Sequence, residues 1–247
     1  MRVAIVTGGS RGIGRRTVER LCGDGFAVVF THSGSGAEAA DVERDAAARG
    51  HTAVAARLDV TDHDAPARLF DLAQAQGAVT AVVNNAGITG PIGPFTALTD
   101  EDLRAVVDVN LVAPTRLCRE AARRWTTGEH AAGDRAIVNI SSVAARTGSP
   151  GEYIAYAAAK AGVETLTVGL AKELGPAGIR VNAVSPGTTD TTIHARAGEP
   201  GRAQRVAAKV PLGRPGEPSE IAGAVAWLLS DDASYVTGAV LSVAGGL

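Results

Sequence analysis

The chain has 247 residues, of which 45% are hydrophobic, 4% aromatic and 20% charged, and its net charge is −2. This length suits one α/β domain, and the scarcity of aromatic residues favours a sheet covered by helices over an aromatic-rich β-sandwich. The balanced charge gives no electrostatic reason to predict binding to nucleic acid or to a membrane surface.

The cysteines and the N-terminus indicate a reducing compartment. Cys22 and Cys118 lie far apart and form no Cys-x-x-Cys pair, so we predict two buried thiols rather than a disulfide or a zinc site. The apolar run within residues 1–7 is too short for a signal peptide and fits a strand, and no run approaches membrane-spanning length. We therefore expect a cytoplasmic protein that does not enter a membrane.

The first predicted strand, residues 2–7, runs into a glycine-rich turn and then a helix that ends near residues 24–25. Strand, turn and helix in this order present backbone N–H groups and a helix N-terminus to a phosphate. Glycine lets the backbone approach a pyrophosphate without a Cβ in the way. Glycine also serves turns that bind nothing, but this position favours nucleotide binding. The turn residues that we assign to the site are Gly8, Ser10, Arg11, Gly12, Ile13 and Gly14.

The second predicted strand ends at Phe30, and a polar turn follows at residues 31–35. A site specific for NAD normally has an Asp or Glu here that binds the ribose 2′-hydroxyl. No acid occurs between this strand and the next helix. Together with Arg11, the turn residues His32 and Ser33 suit a 2′-phosphate, so we predict NADP(H) as the cofactor. The alternative is an ordinary solvated turn.

The rest of the chain alternates between helical and strand patterns. Predicted helices cover residues 37–49, 63–76, 99–125, 153–174 and 218–229. Predicted strands cover residues 52–58, 81–83, 136–141, 180–184 and 239–243. We expect Thr61 or Asp62 to cap the second of these helices, and a surface loop at residues 126–134. The alternation predicts an α/β single-domain Rossmann fold over residues 1–247, a doubly wound parallel sheet of about seven strands with helices on both faces.

The predicted sheet gathers the polar motifs at one edge, because ligands of doubly wound sheets bind at the carboxyl ends of the strands. The segments that meet there are residues 8–14, 59–60, 84–87, 141–142 and 186–187. Tyr156 and Lys160 lie one turn apart on the helix that follows the fifth strand. An ammonium beside a phenol favours the phenolate, so we expect the pKa of Tyr156 to be lowered toward neutrality, which suits a proton donor or acceptor. Alone, such a pair is also typical of an ordinary helix surface.

These motifs together resemble the short-chain dehydrogenase/reductase family over essentially the full chain. Thr7-Gly8-x-x-x-Gly12-x-Gly14 resembles the family's cofactor motif, and Asn84-Asn85-Ala86-Gly87 its sheet-stabilising motif. The residues similar to its catalytic tetrad are Asn110, Ser142, Tyr156 and Lys160. Residues 148–153 and 244–246 resemble a bacterial subgroup called glucose-dehydrogenase-like or 3-oxoacyl-carrier-protein-reductase-like.

The resemblance implies a mechanism and a cofactor site. Hydride moves between the nicotinamide and a carbonyl carbon, Tyr156 protonates the oxygen, and Ser142 holds that oxygen within reach. Lys160 is implied to hydrogen-bond the nicotinamide ribose and to lower the pKa of Tyr156, while Asn110 positions a water that links Lys160 to solvent. The cofactor contacts that the resemblance adds are Asp59, Val60, Asn85, Ala86, Gly87, Tyr156, Lys160, Pro186, Gly187 and Thr189.

Three features complicate this assignment. Tyr153 is a second tyrosine but lacks a lysine four positions later, so we predict a structural or substrate-lining role. Ser141 precedes Ser142 and is the fallback if the strand ends earlier. The spacing from Ser142 to Tyr156 is one residue longer than the commonest family spacing, which the loop at residues 143–153 must absorb.

Substrate choice is predicted to come from the irregular segments at residues 88–97, 144–153 and 188–210. Residues 188–216 form the longest irregular stretch, which we interpret as a substrate-binding loop or lid. Its polarity favours a hydroxylated or charged substrate over a steroid-like one, and the alternative is a solvated surface excursion. The polar residues concerned are Thr188, Thr189, Asp190, Thr191, Thr192, His194, Arg196, Glu199 and Arg202.

Three functions stay open. The first is an NADP(H)-dependent carbonyl reductase or alcohol dehydrogenase acting on a small free ketone or sugar. The second is the same chemistry on a carrier-bound 3-oxoacyl thioester, for which one helix offers either a docking patch or an ordinary charged face at Arg116, Arg119, Arg123 and Arg124. The third is a non-catalytic NADP-binding redox sensor, which has no need of an intact Ser/Tyr/Lys set. The resemblance also implies a homotetramer, or a dimer, packed through helices around residues 100–125 and 153–174.

Overall fold

A computed structural model describes residues 1–127, 134–191, 198–199 and 201–247. These residues form one seven-stranded sheet with the order β3-β2-β1-β4-β5-β6-β7. Every neighbouring pair of strands is parallel. The strands are β1 (Arg2–Val6), β2 (Ala27–His32), β3 (Ala53–Arg57), β4 (Ala78–Asn84), β5 (Arg135–Ile140), β6 (Ile179–Pro186) and β7 (Val240–Val243).

Helices connect the strands and cover both faces of the sheet. In the described part of the chain they are α1 (Gly12–Gly23), α2 (Gly36–Ala48), α3 (Ala65–Gln74), α4 (Asp100–Val107), α5 (Ala113–Thr126), α6 (Ala144–Thr147), α7 (Ile154–Leu174), α8 (Arg202–Ala207) and α9 (Pro218–Leu228). A π-helical turn, Asp108–Val112, joins α4 to α5. Three short 3-10 turns cover Phe95–Ala97, Gly175–Ala177 and Asp231–Ala233.

Two apolar cores lie on opposite faces of the sheet, because successive side chains of a strand point to opposite sides. In β1, Val3 and Ile5 pack on the face covered by α3, α5 and α7. Ala4 and Val6 pack on the face covered by α1, α2 and α9. A strand buried on both faces reads as a continuous apolar run, as β1 does. The predicted doubly wound α/β fold is therefore confirmed.

The boundaries of some elements differ from the predicted ones. β4 begins at Ala78 rather than at residue 81, because pairing with β1 extends the strand through the polar residue Thr80. The predicted caps of α3 are wrong, since α3 begins at Ala65 and is preceded by Asp64. Thr61 is used elsewhere: its backbone N–H and its hydroxyl both donate to the Asp59 carboxylate, at 2.9 and 2.7 Å.

The two longest irregular segments contain more structure than their sequence indicates. Within residues 188–216, Thr189 pairs with Gly216 in an isolated parallel bridge, and α8 forms a short helix. After β5, α6 ends at Gly148, whose φ of 72° lies in the left-handed region. Three residues assigned to the lid, Thr192, His194 and Arg196, lie outside the described residues, as does most of the predicted loop at residues 126–134.

Both cysteines are free and buried, as predicted. Burial raises the pKa of the Cys22 thiol to about 11 and that of the Cys118 thiol to about 12, so both are protonated and unreactive at neutral pH. In the part of the chain that the structure describes, no helix has the length and apolar character needed to span a membrane.

Candidate active site

The glycine-rich turn between β1 and α1 has a backbone conformation that residues with a Cβ would adopt only with strain. Gly8 and Gly12 have positive φ values of 67° and 54°. At Gly14, a Cβ would lie 2.1 Å from the carbonyl oxygen of Gly8, so the turn closes only with glycine there. Thr31 holds the turn from the neighbouring strand, because its hydroxyl accepts from the Gly8 N–H at 3.0 Å and its carbonyl accepts from Gly9. The turn opens directly onto the N-terminus of α1, where a phosphate is favoured.

The other residues assigned to this turn have different surroundings. Ser10 is buried, and its hydroxyl shares a 2.6 Å hydrogen bond with the Ser35 hydroxyl, which ties the turn to the start of α2. Ile13 packs against the core on the α1 face. Arg11 is partly exposed and immediately precedes α1. Ser10 and Ile13 therefore position the backbone, while Arg11 offers a charge at the site.

The end of β4 is cross-linked to the glycine turn. The Thr7 hydroxyl accepts from the backbone N–H groups of Asn85 and Ala86, both at 3.0 Å. The Asn85 amide donates to the carbonyls of Thr7 and Gly8, at 2.9 and 3.1 Å. The predicted cofactor residues on the two central strands are thus fixed relative to one another. Thr7 belongs to the predicted cofactor motif, but the supporting hydrogen bonds of Thr7 and Thr31 were not predicted; the signal was a threonine at each strand end.

Asn110 lies in the π-helical turn and is completely buried. Its amide donates to the carbonyls of Ile88 and Val106, at 2.7 and 2.8 Å, and its side-chain oxygen accepts from the Ile88 N–H at 3.3 Å. A π-turn inside a helix is often a functional device. A Cβ on Gly87 would lie 2.8 Å from Asn110 Oδ1 and 3.6 Å from Lys160 Nζ, so the two predicted tetrad residues approach across that glycine.

The geometry distinguishes the two serines after β5. Ser141 is buried, and its hydroxyl donates to the Glu164 carboxylate at 2.8 Å, so it belongs to the packing between β5 and α7. Ser142 is partly exposed, its hydroxyl accepts from the Ala144 N–H at 3.2 Å, and its side chain interacts with Tyr156 in the sense that lowers the pKa of the phenol. The structure therefore favours Ser142 for contact with a substrate oxygen.

The longer spacing between Ser142 and Tyr156 is absorbed in a tight turn before α7. Gly148 and Gly151 have positive φ values of 72° and 74°, and the intervening Ser149 also has a positive φ of 45°. The Ser149 carbonyl accepts from the N–H groups of Glu152 and Tyr153. The turn thereby returns the chain to the start of α7, two residues before Tyr156.

Tyr156 and Lys160 are both buried and face each other on α7. Lys160 Nζ lies 5.6 Å from the centre of the Tyr156 ring, and it donates to the carbonyl oxygen of Ile140 at 2.7 Å. Tyr153 packs edge-on against Tyr156, with 5.4 Å between the ring centres. The pair is therefore not an ordinary contact on the surface of a helix, which was the alternative interpretation of its spacing.

The predicted lowering of the Tyr156 pKa is wrong for the chain alone. Burial raises the pKa of Tyr156 to about 12, against smaller lowering effects of the Ser142 hydrogen bond and the Arg202 charge. Burial also lowers the pKa of Lys160 to about 8. The reason is that the apolar surroundings penalise the charged form of each group. In the free chain Tyr156 is a protonated phenol, ready to donate.

The turn after β2 and the end of β3 supply the remaining predicted contacts. His32 Nδ1 is buried and has no hydrogen-bond partner among the described residues, so a ligand group placed at this turn would satisfy it, an acceptor if Nδ1 carries the ring proton and a donor if it does not. Ser33 beside it is exposed. Asp59 is exposed, and Val60 lines a cleft at the carboxyl edge of the sheet. Further residues that line this cleft are Thr7, Leu58, Ala86 and Val109. These residues fit a dinucleotide that extends from the turn after β2 across the glycine turn.

The end of β6 forms the opposite wall. The Pro186 carbonyl accepts from the Val143 N–H, and the Gly187 N–H donates to the carbonyl of Val243, both at 3.0 Å. A Cβ on Gly187 would lie 2.8 Å from the Cα of Ala244, so β7 approaches too closely for any other residue. The Thr189 hydroxyl donates to the Gly187 carbonyl at 3.2 Å. Pro186, Gly187 and Thr189 are thus held on the side of the site that faces Ser142.

Comparison with known proteins gives a further line of evidence for the family of this chain. A family model described as enoyl-(acyl carrier protein) reductase matches residues 8–247. The uncharacterized oxidoreductase YgfF of Escherichia coli (strain K12) is 42% identical over 247 residues, which are 100% of this chain and 100% of the relative. The cis-4-hydroxycyclohexanecarboxylate dehydrogenase of Sinomonas cyclohexanicum is 43% identical over 246 residues, 99% of this chain and 96% of the relative.

A solved structure shows the same architecture. The blue fluorescent protein from a metagenomic library, in complex with NADPH, is 35% identical and has a TM-score of 0.88, and the match covers 99% of this chain and 97% of that chain. The sequence relatives, the family model and the fold agree with the motifs at the sheet edge. The chain therefore belongs to the short-chain dehydrogenase/reductase family of oxidoreductases.

Proposed function

We propose that the chain is an NADP(H)-dependent oxidoreductase that interconverts a carbonyl compound and a secondary alcohol, with Tyr156 as the general acid and base. One observation carries this proposal: Tyr156 and Lys160 are both buried, with Lys160 Nζ 5.6 Å from the centre of the Tyr156 ring, beside the Ser142 side chain. The pair stands at the carboxyl edge of the sheet, where the glycine turn would hold the cofactor. When bound, the nicotinamide supplies or accepts the hydride.

The chain's own residues supply orientation and proton transfer. Ser142 holds the substrate oxygen, and Tyr156 gives that oxygen its proton during reduction. A pKa of about 12 keeps Tyr156 protonated at cellular pH, which suits donation. An ammonium has three N–H donors, so the bond from Lys160 to Ile140 fixes its position and leaves donors for the nicotinamide ribose. Asn110 lies close to Lys160 across Gly87, which suits a water that reprotonates the pair.

The preference for NADP(H) rests on the turn after β2. Its His32 has a buried, unpartnered nitrogen, and Arg11 adds a positive charge nearby in the glycine turn. The structural relative bound to NADPH supports the same cofactor. Phosphate recognition by charged donors is strong in such partly buried sites.

Replacing His32 by aspartate should reverse this preference. In the His32→Asp variant, a carboxylate would repel a 2′-phosphate and accept from a ribose 2′-hydroxyl instead. We expect NADPH binding to weaken by about 10- to 100-fold while NADH binding improves. Fluorescence titration with NADPH and with NADH measures the change. The control is His51→Asp, which introduces the same charge in the loop between α2 and β3. Retained NADPH preference in His32→Asp would show that the turn does not read the phosphate.

The reaction itself is tested by a turnover screen. Purified protein with NADPH is offered small ketones, aldose sugars and 3-oxoacyl thioesters, and oxidation of NADPH is followed by absorbance. We expect turnover of a ketone or sugar that Ser142→Ala reduces strongly and Ser141→Ala reduces little, because the Ser142 side chain acts on Tyr156 while the Ser141 hydroxyl donates to Glu164. If the protein binds NADPH or NADH but turns over no carbonyl compound with either cofactor, that result would count against the proposal.

Thioester reduction is the second candidate, and similarity to the 3-oxoacyl-[acyl-carrier-protein] reductase MabA of Mycobacterium tuberculosis, 37% identical over 248 residues, favours it. The arginine patch gives it less support. Arg124 is engaged by Glu120 and Asp71, at 2.7 and 2.8 Å, and Arg116 donates to the Thr61 carbonyl. The remaining pair, Arg119 and Arg123, is exposed. Reduction of thioesters at rates that exceed those of all free ketones would make this the better assignment. A non-catalytic redox sensor is the third candidate, and turnover in the screen would exclude it.

We also infer a homotetramer or a dimer, packed through α4, α5 and α7. Part of the small-residue surface of α7 is used within the subunit, since a Cβ on Gly162 would lie 3.1 Å from the Leu111 side chain. Ala157 is likewise buried, in a cluster with Val106 and Ala144. Sedimentation velocity measures the assembly directly, and a stable monomer would contradict the inference.

A further inference from the structure

The three irregular segments that surround the candidate active site meet at Glu152. Its backbone carbonyl accepts from the Gly93 N–H at 2.9 Å, which ties residues 88–97 to the turn before α7. Its carboxylate binds Arg202 at 2.5 Å and Arg205 at 3.4 Å, both on α8 of the lid segment. Glu152 therefore fixes the lid helix to the wall that carries Tyr156.

Arg202 is the unusual member of this cluster, because only 8% of its surface is exposed. One terminal nitrogen donates to Glu152. The guanidinium carbon lies 5.1 Å from the centre of the Tyr153 ring. Its Nε is buried and has no hydrogen-bond partner among the described residues. A buried donor without an acceptor costs free energy, so such a donor in a native fold calls for an acceptor that the described residues do not supply.

Arg202 also lies close to the reacting group. Its guanidinium packs on Tyr153, and Tyr153 packs edge-on against Tyr156 with 5.4 Å between the ring centres. The Tyr153 ring is therefore the one side chain between the guanidinium of Arg202 and the ring of Tyr156 in this chain of contacts. Although burial dominates the pKa of Tyr156, the positive charge of Arg202 is among the effects that lower it. A small molecule whose oxygen rests on Ser142 and Tyr156 could extend its far end to Arg202.

The charges around the cluster limit what that far end can be. Glu152 and Glu199 carry two negative charges, and Arg202 and Arg205 carry two positive ones. Arg205 is half-exposed and already binds both carboxylates, so it is committed to the lid. Arg202 contacts Glu152 through Nη2, while its Nε has no partner among the described residues. Nε and Nη2 share one edge of the guanidinium, and Nη2 carries two N–H donors, so Nε and the second N–H of Nη2 together present a pair of donors. That pair matches a carboxylate in shape and charge.

We propose that Arg202 is a specificity-determining residue that binds a carboxylate on the substrate, so that the preferred substrates are small keto acids or the corresponding hydroxy acids. This inference rests on the proposed oxidoreductase function and deepens it. Arg202 does not take part in proton transfer. It selects molecules that carry an anionic group at one end and the reacting oxygen at the other.

The test compares two matched substrates. Levulinate carries a ketone and a carboxylate, and levulinamide replaces the carboxylate by a neutral amide of almost the same shape. With NADPH, we expect wild-type kcat/KM to be higher for levulinate by about 10- to 100-fold, the range for a charge-assisted hydrogen bond in a buried site. A series of methyl keto acids with longer chains finds the best separation of the two groups.

The variants separate recognition from support of the lid. Arg202→Met should abolish the preference for the acid by raising its KM, while kcat/KM for levulinamide changes less than about threefold. Arg202→Lys keeps the charge without the planar fork and should restore part of the preference. Arg205→Met is the control, because Arg205 also forms an ion pair with Glu152 but is half-exposed. This variant should change kcat/KM for the acid and for the amide by the same factor. Melting temperatures show whether each variant is folded.

The outcomes distinguish this inference from the function on which it rests. Equal wild-type activity on acid and amide, across the chain-length series, would overturn the role of Arg202 and leave the oxidoreductase function standing. An equal loss on both substrates in Arg202→Met would overturn it too, since that is the effect of a loosened lid. If no ketone is turned over, the proposed function fails. Calorimetric binding of levulinate to the chain with NADP⁺, lost in Arg202→Met and kept in Arg205→Met, then still decides the carboxylate site.

Discussion

Replacing Tyr156 by phenylalanine should lower kcat/KM for carbonyl reduction by about 10²- to 10⁴-fold, the range that general acid catalysis contributes. The variant removes one oxygen from a side chain that is only 9% exposed, so the packing of its ring against Lys160 and Tyr153 is kept. What is lost is the proton donor and its interaction with Ser142. We expect NADPH to bind within a few-fold of wild type, because the glycine turn and the end of β2 are untouched.

Tyr153→Phe provides the matched control. It removes the same atom from the neighbouring ring, and burial also raises the pKa of Tyr153, but the serine that acts on Tyr153 is Ser149 rather than Ser142. Turnover in this variant should stay within about tenfold of wild type, since the hydroxyl has no role in proton transfer. Steady-state kinetics and fluorescence titration with NADPH measure both variants. Turnover of Tyr156→Phe at the level of Tyr153→Phe would reject Tyr156 as the acid.

The sequence was sufficient to predict the fold because each strand and helix carries its own local pattern. β1 and β2 read as continuous apolar runs, as strands buried on both faces must, whereas β6 is buried throughout although Arg180, Asn182 and Ser185 interrupt its apolar residues. The alternation with helices then restricts the topology to a parallel sheet with right-handed crossovers. Boundaries were less certain where pairing overrides composition, as at Thr80 in β4. The short helices α6 and α8 depend on contacts outside their own few residues, and no period in the sequence indicates them.

The backbone of the candidate site was harder to predict than its residue types. The segment around Asn110 has an ordinary helical pattern, yet the chain forms a π-turn there. The turn depends on tertiary contacts, since the Asn110 amide bonds the carbonyl of Ile88 in a distant loop. The partners of Glu152 could not be predicted for the same reason, because the arginines on α8 lie some fifty residues away, at separations of 50 and 53.

Charge states were the least accessible property. Spacing alone places an ammonium near a phenol and predicts a lowered Tyr156 pKa. The structure adds the depth of burial, which acts on each group in the direction of its neutral form. In the free chain the pKa of Tyr156 is therefore raised and that of Lys160 is lowered, and each shift favours the uncharged form of the side chain. Sequence spacing does not indicate how much water remains around a pair, and that quantity determines the sign here.

Replacing Lys160 by methionine should make the chain more stable at neutral pH while it abolishes turnover. Burial lowers the pKa of Lys160 from 10.5 to about 8. At neutral pH the folded chain must keep a cation where desolvation disfavours it, at a cost of roughly 3 kcal/mol for a shift of this size. Methionine fills similar volume without a charge but loses the bond to the Ile140 carbonyl, which contributes about 1 kcal/mol. The expected gain in the free energy of unfolding near pH 7 is about 1–2 kcal/mol.

The pH dependence identifies the cause. Between pH 8 and 10.5 the unfolded chain retains the Lys160 proton that the folded chain has lost, so the wild-type free energy of unfolding gains a rising contribution across this window. Below about 8 the desolvation cost is present in full, and above 10.5 it has vanished. Lys160→Met has no such titration. The stability curves of the two proteins should therefore converge as the pH rises and cross once the lost hydrogen bond is the only difference.

Urea unfolding at several pH values measures both curves, and Lys172→Met serves as the control because Lys172 is an exposed lysine on the same helix. That control should track wild type at every pH. A Lys160→Met variant that is less stable than wild type at pH 7, or a difference that does not change with pH, would contradict a desolvated cation at this position. The expected result, a more stable and inactive protein, would show that Lys160 is kept at the expense of stability because the reaction needs it.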